Sequence, residues 1–151
     1  MTATERTLED ITFTLNQEIH VKAPLEVTFA SLLEQLGPGN ETPDGTSLHL
    51  KIEPWPGGRW YRDMGDDNGH FWAVVQAIKR PTLLEFSGPM FASFPLVNNV
   101  QYRLREVEGG TLISFRHTAM GLLTEQNKLE MPNGWASMHE GVRKHAEKSG
   151  R

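Results

Sequence analysis

From Ile11 to Val21 the chain reads ITFTLNQEIHV, with Ile11, Phe13 and Leu15 on one parity. Ile19 and Val21 keep that parity beyond Gln17, and such alternation predicts a strand with one face buried. KAP ends it. Pro24 suits the first turn of a helix, where an N–H would lack a partner anyway, and Glu26 favours the helix start. Phe29, Leu32, Leu33 and Leu36 make an apolar stripe, which Gly37-Pro38 stops. GPGNETPDGTS is loop, and Leu48, Leu50 and Ile52 alternate with His49, Lys51 and Glu53 as a second strand. PWPGG breaks that strand, RWYRDM resumes it, and GDDNG predicts a turn with Asn68-Gly69 carrying the positive φ. HFWAVVQAI, TLLEFS, VQYRLREV and TLISFRHTA follow as strands, the last two as a hairpin around Glu108-Gly109-Gly110. GPMFASFP is an apolar loop broken by glycine and proline.

The period then changes. Met131, Trp135, Met138, Val142 and Ala146 recur every three to four residues, which predicts a long amphipathic helix. Pro132 marks its start, or a bend after a short helix from about Thr124. The order is strand, helix, about six mostly antiparallel strands, and a long helix, an α+β arrangement. A lone apolar stripe on the terminal helix needs a sheet to cover it. At 151 residues one domain is expected, spanning 9–148 after a loose polar segment 1–8.

Composition narrows the function classes. The formal net charge of -4, with Lys and Arg scattered, provides no basic tract for nucleic acid. The absence of cysteine removes disulfides, thiolate metal sites and cysteine nucleophiles together. No signal-peptide pattern or membrane-length apolar run is present, so a cytoplasmic protein is expected.

The segment EPWPGGRWYRDMGDDNGHFW is the densest in possible chemistry. Asp63, Asp66 and Asp67 do not follow the regular calcium-loop spacing, and a solvated hairpin turn accounts for them better. Gly57-Gly58 match no phosphate fingerprint, and are read instead as a bend after Pro54 and Pro56. Trp60 or Tyr61, and Phe71 or Trp72, must point inward, because adjacent strand residues face opposite ways. Parity leaves the choice open. On the hairpin Val100, Tyr102 and Leu104 share one face, and Ile113, Phe115 and His117 likewise share a face against Ser114 and Arg116, with Leu84 and Phe86 extending it. Arg103, Arg105 and Arg116 face outward, either as a basic docking patch or as a solvated face paired with Glu106 and Glu108. No HExxH, GxSxG or HxH pattern occurs. No metal, cofactor or catalytic set is assigned.

VKAPLEVTFASLL, IEPWPGGRWYRDMGDDNGH, VVQAIKRPTLLEFSG, VQYRL, and GTLISFRH followed by the Trp135 helix resemble the activator-of-Hsp90-ATPase-like branch of the START/Bet v 1 (SRPBCC) superfamily over roughly residues 10–147. The resemblance implies a helix-grip fold, in which a curved antiparallel sheet wraps a long C-terminal helix around an apolar cavity. Superfamily members bind lipids, hormones or aromatic metabolites, and some are cyclases. The ligand-binding residues expected on this basis are Trp60, Trp72, Phe86, Tyr102, Phe115, His117, Trp135, Met138, His139 and Val142. His117 is the leading inward polar group and Tyr102 the second, while His139 is expected at the cavity mouth, and His49 and His70 on the rim. Binding of a small apolar or aromatic molecule is the first expectation, with no nucleic acid or membrane partner. A cyclase- or hydrolase-like enzyme using His117 or Tyr102 on an aromatic or polyketide-like substrate is the second. A co-chaperone or other protein-interaction module is the third.

Overall fold

The computed structural model describes residues 7–150. Its elements are β1 (Thr12–Val21), α1 (Leu25–Leu36), β2 (Leu50–Ile52), β3 (Arg59–Gly65), β4 (Asn68–Lys79), β5 (Leu83–Gly88), β6 (Leu96–Val107), β7 (Gly110–Gly121) and α2 (Glu125–Ser149). One seven-stranded sheet has the order β1-β7-β6-β5-β4-β3-β2, and every pairing is antiparallel. Both helices pack on its inner face, and α2 buries Trp135, His139, Val142 and Ala146. The expected loose N-terminus lies mostly outside the described residues. At Thr7 and Leu8 the chain enters a single 3-10 turn, Leu8–Ile11, so β1 begins at Thr12.

The alternation on β6 and β7 persists through the hairpin. Val100, Tyr102 and Leu104 are buried beside Ile113, Phe115 and His117, with Leu84 and Phe86 completing the surface. Arg103, Arg105 and Arg116 are exposed on the opposite face. None of these arginines forms an ion pair with Glu106 or Glu108 among the described residues.

Several boundaries differ from expectation, each for a local reason. Pro24 is the residue that caps α1 rather than its first helical residue. Leu48 falls outside β2 because His49 takes a positive φ of 54° and interrupts the extended run. The β3–β4 turn is carried by Asp66 and Asp67, at φ 52° and 60°, and Asn68-Gly69 belong to β4. Asn68 holds that turn instead by donating its side-chain amide to the carbonyls of Gly65 and Asp66. Pro132 neither begins α2 nor splits it. The helix starts at Glu125 behind a Thr124 cap, whose hydroxyl accepts from the Asn127 N–H at 3.1 Å.

Trp60 answers the parity question for β3. It is inward and 2% exposed, and its indole N–H donates to the Leu36 carbonyl at 2.7 Å. That fills one of the acceptors left over at the end of α1. Trp72 is likewise buried on β4, whereas Phe71 faces out. Register shifts between Trp60 and Tyr61, and between Val75 and Ala77, break simple alternation in this half of the sheet.

The PWPGG bend is a tight re-entry into the sheet. Gly57 donates to Val75, and Val75 donates back to Gly58, at 2.8 and 2.7 Å. Gly57 sits at φ 82°, and a Cβ at Gly58 would lie 1.9 Å from the Glu53 carbonyl oxygen. Gly134, inside α2, has nothing within 4 Å of its Cβ position. The two glycines should therefore respond with opposite signs in urea unfolding. Gly58→Ala is expected to cost at least about 2 kcal/mol through backbone collision, while Gly134→Ala gains about 0.5–1 kcal/mol from helix propensity.

Candidate functional site

Beside the N-terminal half of α2 the sheet and helix part, leaving a cleft of about 600 Å³. That size lies within the usual range for small-molecule sites, roughly 300–1,000 Å³. Trp60 and Trp72 from the sheet, Phe91 from the β5–β6 loop, and Met131, Trp135 and Met138 from α2 provide its apolar walls. The loop after α1 closes one side with residues 40–43, and Leu48 and Leu50 continue that side. Asn127, Glu130, Asn133, Gly134 and Ser137 line the mouth along α2. The aromatic walls pack on one another, edge to face around Trp72 and tilted between Phe91 and Trp135. Trp72 meets Trp60 at 5.0 Å and Phe91 at 4.8 Å between ring centroids, and Phe91 reaches Trp135 at 5.9 Å.

Of the residues expected to bind ligand, Trp60, Trp72, Trp135 and Met138 are brought together on this cleft. Phe86, Tyr102, Phe115, His117, His139 and Val142 are buried but do not line it. They form the layer on which the lining aromatics rest. Phe86 packs on Trp60 at 4.7 Å and Phe115 on Trp135 at 4.8 Å.

The buried polar groups in this layer are joined in two chains of hydrogen bonds. In the first, the Trp135 indole N–H donates to His117 Nδ1 at 3.0 Å. His117 Nε2 lies 2.7 Å from Asn98 Oδ1, while the Asn98 amide donates to the carbonyls of Gly88 and Pro89. The indole has only a proton to give, so Nδ1 must accept and Nε2 must carry the hydrogen. In the second chain, the Gln17 amide donates to the Pro132 carbonyl at 3.0 Å, leaving its oxygen to accept from His139 Nδ1 at 2.8 Å. His139 Nε2 then accepts from the Tyr102 hydroxyl at 2.9 Å. Each imidazole is held neutral, in one tautomer, with both nitrogens used.

Burial reinforces this state. It lowers His117 to about 4 and His139 to about 3, from an ordinary 6.5, and pushes the Tyr102 phenol well above its usual value. None of the three is poised to exchange a proton near neutral pH.

His139 does not reach the mouth, because the buried stripe of α2 runs through 135, 139, 142 and 146 rather than through Met138. The His139 ring stacks on Trp135 one turn earlier, at 5.7 Å and 17° between planes, and Met138 takes the flank that faces the cleft. His49 is exposed and His70 half-buried, where His70 Nδ1 accepts from the Trp72 indole at 2.9 Å. The acids between Trp60 and Phe71 serve local structure. Asp63 pairs with Lys51 at 2.7 Å, which lowers its carboxyl, and Asp66 and Asp67 form the turn.

Asn98 and Gln17 were not among the expected site residues, although the signal existed. Asn98 shares parity with Val100 and Tyr102, and Gln17 with Leu15 and Ile19. Each is a polar side chain at a position whose neighbours point inward. Phe91 and the loop after α1 had no such periodic signal.

The sequence profile of the family described as Activator of Hsp90 ATPase homolog 1-like protein matches residues 23–147. No protein with a curated description matches by sequence. Among solved structures, an uncharacterised protein from Rhizobium leguminosarum superposes with a TM-score of 0.73 at 17% identity, covering 91% of this chain and 95% of that one. Ara h 8.0201 gives 0.63 at 15% identity, over 89% and 97% of the two chains. The di-domain ARO/CYC StfQ from the steffimycin biosynthetic pathway gives 0.66 at 12% identity, over 95% of this chain and 52% of that one. At these identities the likeness shows the fold, which is the Bet v 1-like helix-grip fold.

The histidines set a pH dependence whose sign follows from linkage. Their folded-state values lie below 6.5, so the unfolded chain binds more protons between about pH 6.5 and the folded values. Stability is thus complete above that window and falls as pH drops through it, by up to about 3 kcal/mol per histidine between pH 7 and 4. Urea midpoints measured across that range should fall with acidification. His139→Gln, which can keep both hydrogen bonds but cannot titrate, should remove its share of the slope.

Proposed function

We propose that this chain, which belongs to the Activator of Hsp90 ATPase homolog 1-like family by the match over residues 23–147, is a non-catalytic binder of a small planar apolar or aromatic molecule. It acts as a single cytoplasmic domain of residues 9–148, with the ligand held between Trp60, Trp72, Phe91 and Trp135. One observation carries this reading: the cleft has aromatic walls, while Tyr102, His117 and His139 are sealed behind them. An apolar ligand gains from the area it removes from water, and flat rings suit edge-to-face aromatic walls. Asn127, Asn133 and Ser137 at the mouth supply the few polar contacts that set orientation.

The cyclase reading requires His117 or Tyr102 to move a proton on a substrate. Geometry argues against it, since their polar atoms are engaged with Asn98, Trp135 and His139. The general acid–base candidates expected inside therefore fail the first requirement, reach of the substrate. As for membranes, no helix among the described residues is long and apolar enough to cross one.

Binding is tested with 2-methoxynaphthalene, a neutral planar probe, followed by nitrogen–proton correlation spectra. The indole resonances of Trp72 and Trp135 should shift saturably. Ser137 is exposed on the cleft side of α2, so Ser137→Trp should fill the mouth and abolish the shifts without lowering the melting temperature. Saturable shifts that survive Ser137→Trp would refute this location, and His117→Gln is expected to leave the probe's affinity within about threefold, or about 0.7 kcal/mol.

A further inference from the structure

The charge lining the cleft is of one sign. Glu41 projects from the loop after α1 and Glu130 from α2, and among the described residues no lysine, arginine or histidine lines the cleft. The nearest lysine on that helix, Lys128, is drawn to Glu125 at 3.6 Å and lies off the lining. The remaining polar lining groups, Asn40, Thr42, Asn127, Asn133 and Ser137, are neutral.

Backbone dipoles do not reverse this sign, since both helix ends near the cleft are capped. The carbonyl end of α1 abuts the Trp60 wall, where the indole satisfies Leu36 and the Asn40 amide satisfies Gln35. A helix C-terminus carries partial negative charge. The amino end of α2 has the opposite sign, but the Thr124 hydroxyl takes the Asn127 N–H there and Glu125 occupies the first turn. Aromatic faces add a further preference, since the negative face of an indole or phenyl ring attracts a cation.

Resting on the binding role proposed above, we infer that this cleft selects a cationic aromatic amine, with the ring between the tryptophans and the ammonium toward Glu41 and Glu130. An anionic ligand such as an aromatic acid would meet two carboxylates and no counter-charge, and is disfavoured by like-charge repulsion as well as by desolvation.

Calorimetric titration of three matched probes separates this inference from the site itself. They share a naphthalene ring and differ in the side chain: 2-(2-naphthyl)ethylammonium, 2-naphthylacetamide and 2-naphthylacetate. At low salt the cation should bind at least about tenfold more tightly than the amide, and the acetate at least about tenfold more weakly. The double variant Glu41→Gln/Glu130→Gln should compress the cation-to-amide ratio to about threefold or less, and raised ionic strength should act in the same direction. If the acetate binds as well as the cation, or the double variant leaves the ratio unchanged, the charge selectivity is refuted while amide binding preserves the cleft. If none of the three binds, both fall.

Discussion

The hydrogen bond from the Trp135 indole to His117 joins the middle of α2 to β7, next to the β1 edge of the sheet. Much of the architecture follows from the need to complete it. Trp135 is large, nearly fully buried, and carries a donor that must find an acceptor away from water. His117 can accept only if its other nitrogen donates, so Asn98 must lie within reach, and Asn98 in turn is anchored by the carbonyls at the end of β5. Four elements, α2, β7, β6 and β5, are thereby fixed relative to one another by directional contacts, where apolar packing alone would permit sliding. Gln17, His139 and Tyr102 repeat the device between β1, α2 and β6. An apolar core specifies that the helix is covered; these two chains specify its rotation and depth.

The cleft exists where this locking stops. Behind Trp135 the interior is filled by Tyr102, Phe115, His139 and Val142. In front of it the helix carries Asn133, Gly134 and Ser137, residues too small or too polar to fill the space toward Trp72 and Phe91. The C-terminal helix thus fills the interior on the side where it grips the sheet, and toward the cleft it intersperses Met131 and Met138 with the small or polar Asn133, Gly134 and Ser137. The Trp60 indole, held by the Leu36 carbonyl, keeps the opposite wall from moving inward to close the gap.

Much of the fold was legible because two periods, 2 and 3.6, dominate the apolar positions. The hairpin of β6 and β7 and the stripe through Trp135, Val142 and Ala146 carry those periods clearly. The β3–β4 half was illegible at the level of single side chains, because register shifts beside Trp60 and Val75 alter which residues face inward. The family resemblance supplied the curved sheet and its gripped helix, but not the cleft's extent. Sequence periodicity also says which residues face the interior without saying whether that interior is solid. That is why Tyr102 and His139 read as cavity residues although they are buried behind the cleft lining. Asn98 and Gln17 were visible as polar side chains on inward parities, yet only tertiary geometry joins them to partners distant in sequence.

Pro132 gives α2 one further property. Without an N–H, it leaves the Lys128 carbonyl without its usual partner one turn later in the helix. The proline's own carbonyl is bound sideways by Gln17 of β1. The helix stays continuous, but residues 135–146 are held by the core, while residues 125–131 lie beyond the missing rung and bear an exposed Leu129. Local opening should therefore cost less in residues 125–131 than around the buried Trp135, His139, Val142 and Ala146. The part of the cleft wall that Asn127 and Glu130 supply thus rests on the less secured end of the helix, and the part that Ser137 and Met138 supply rests on the gripped one.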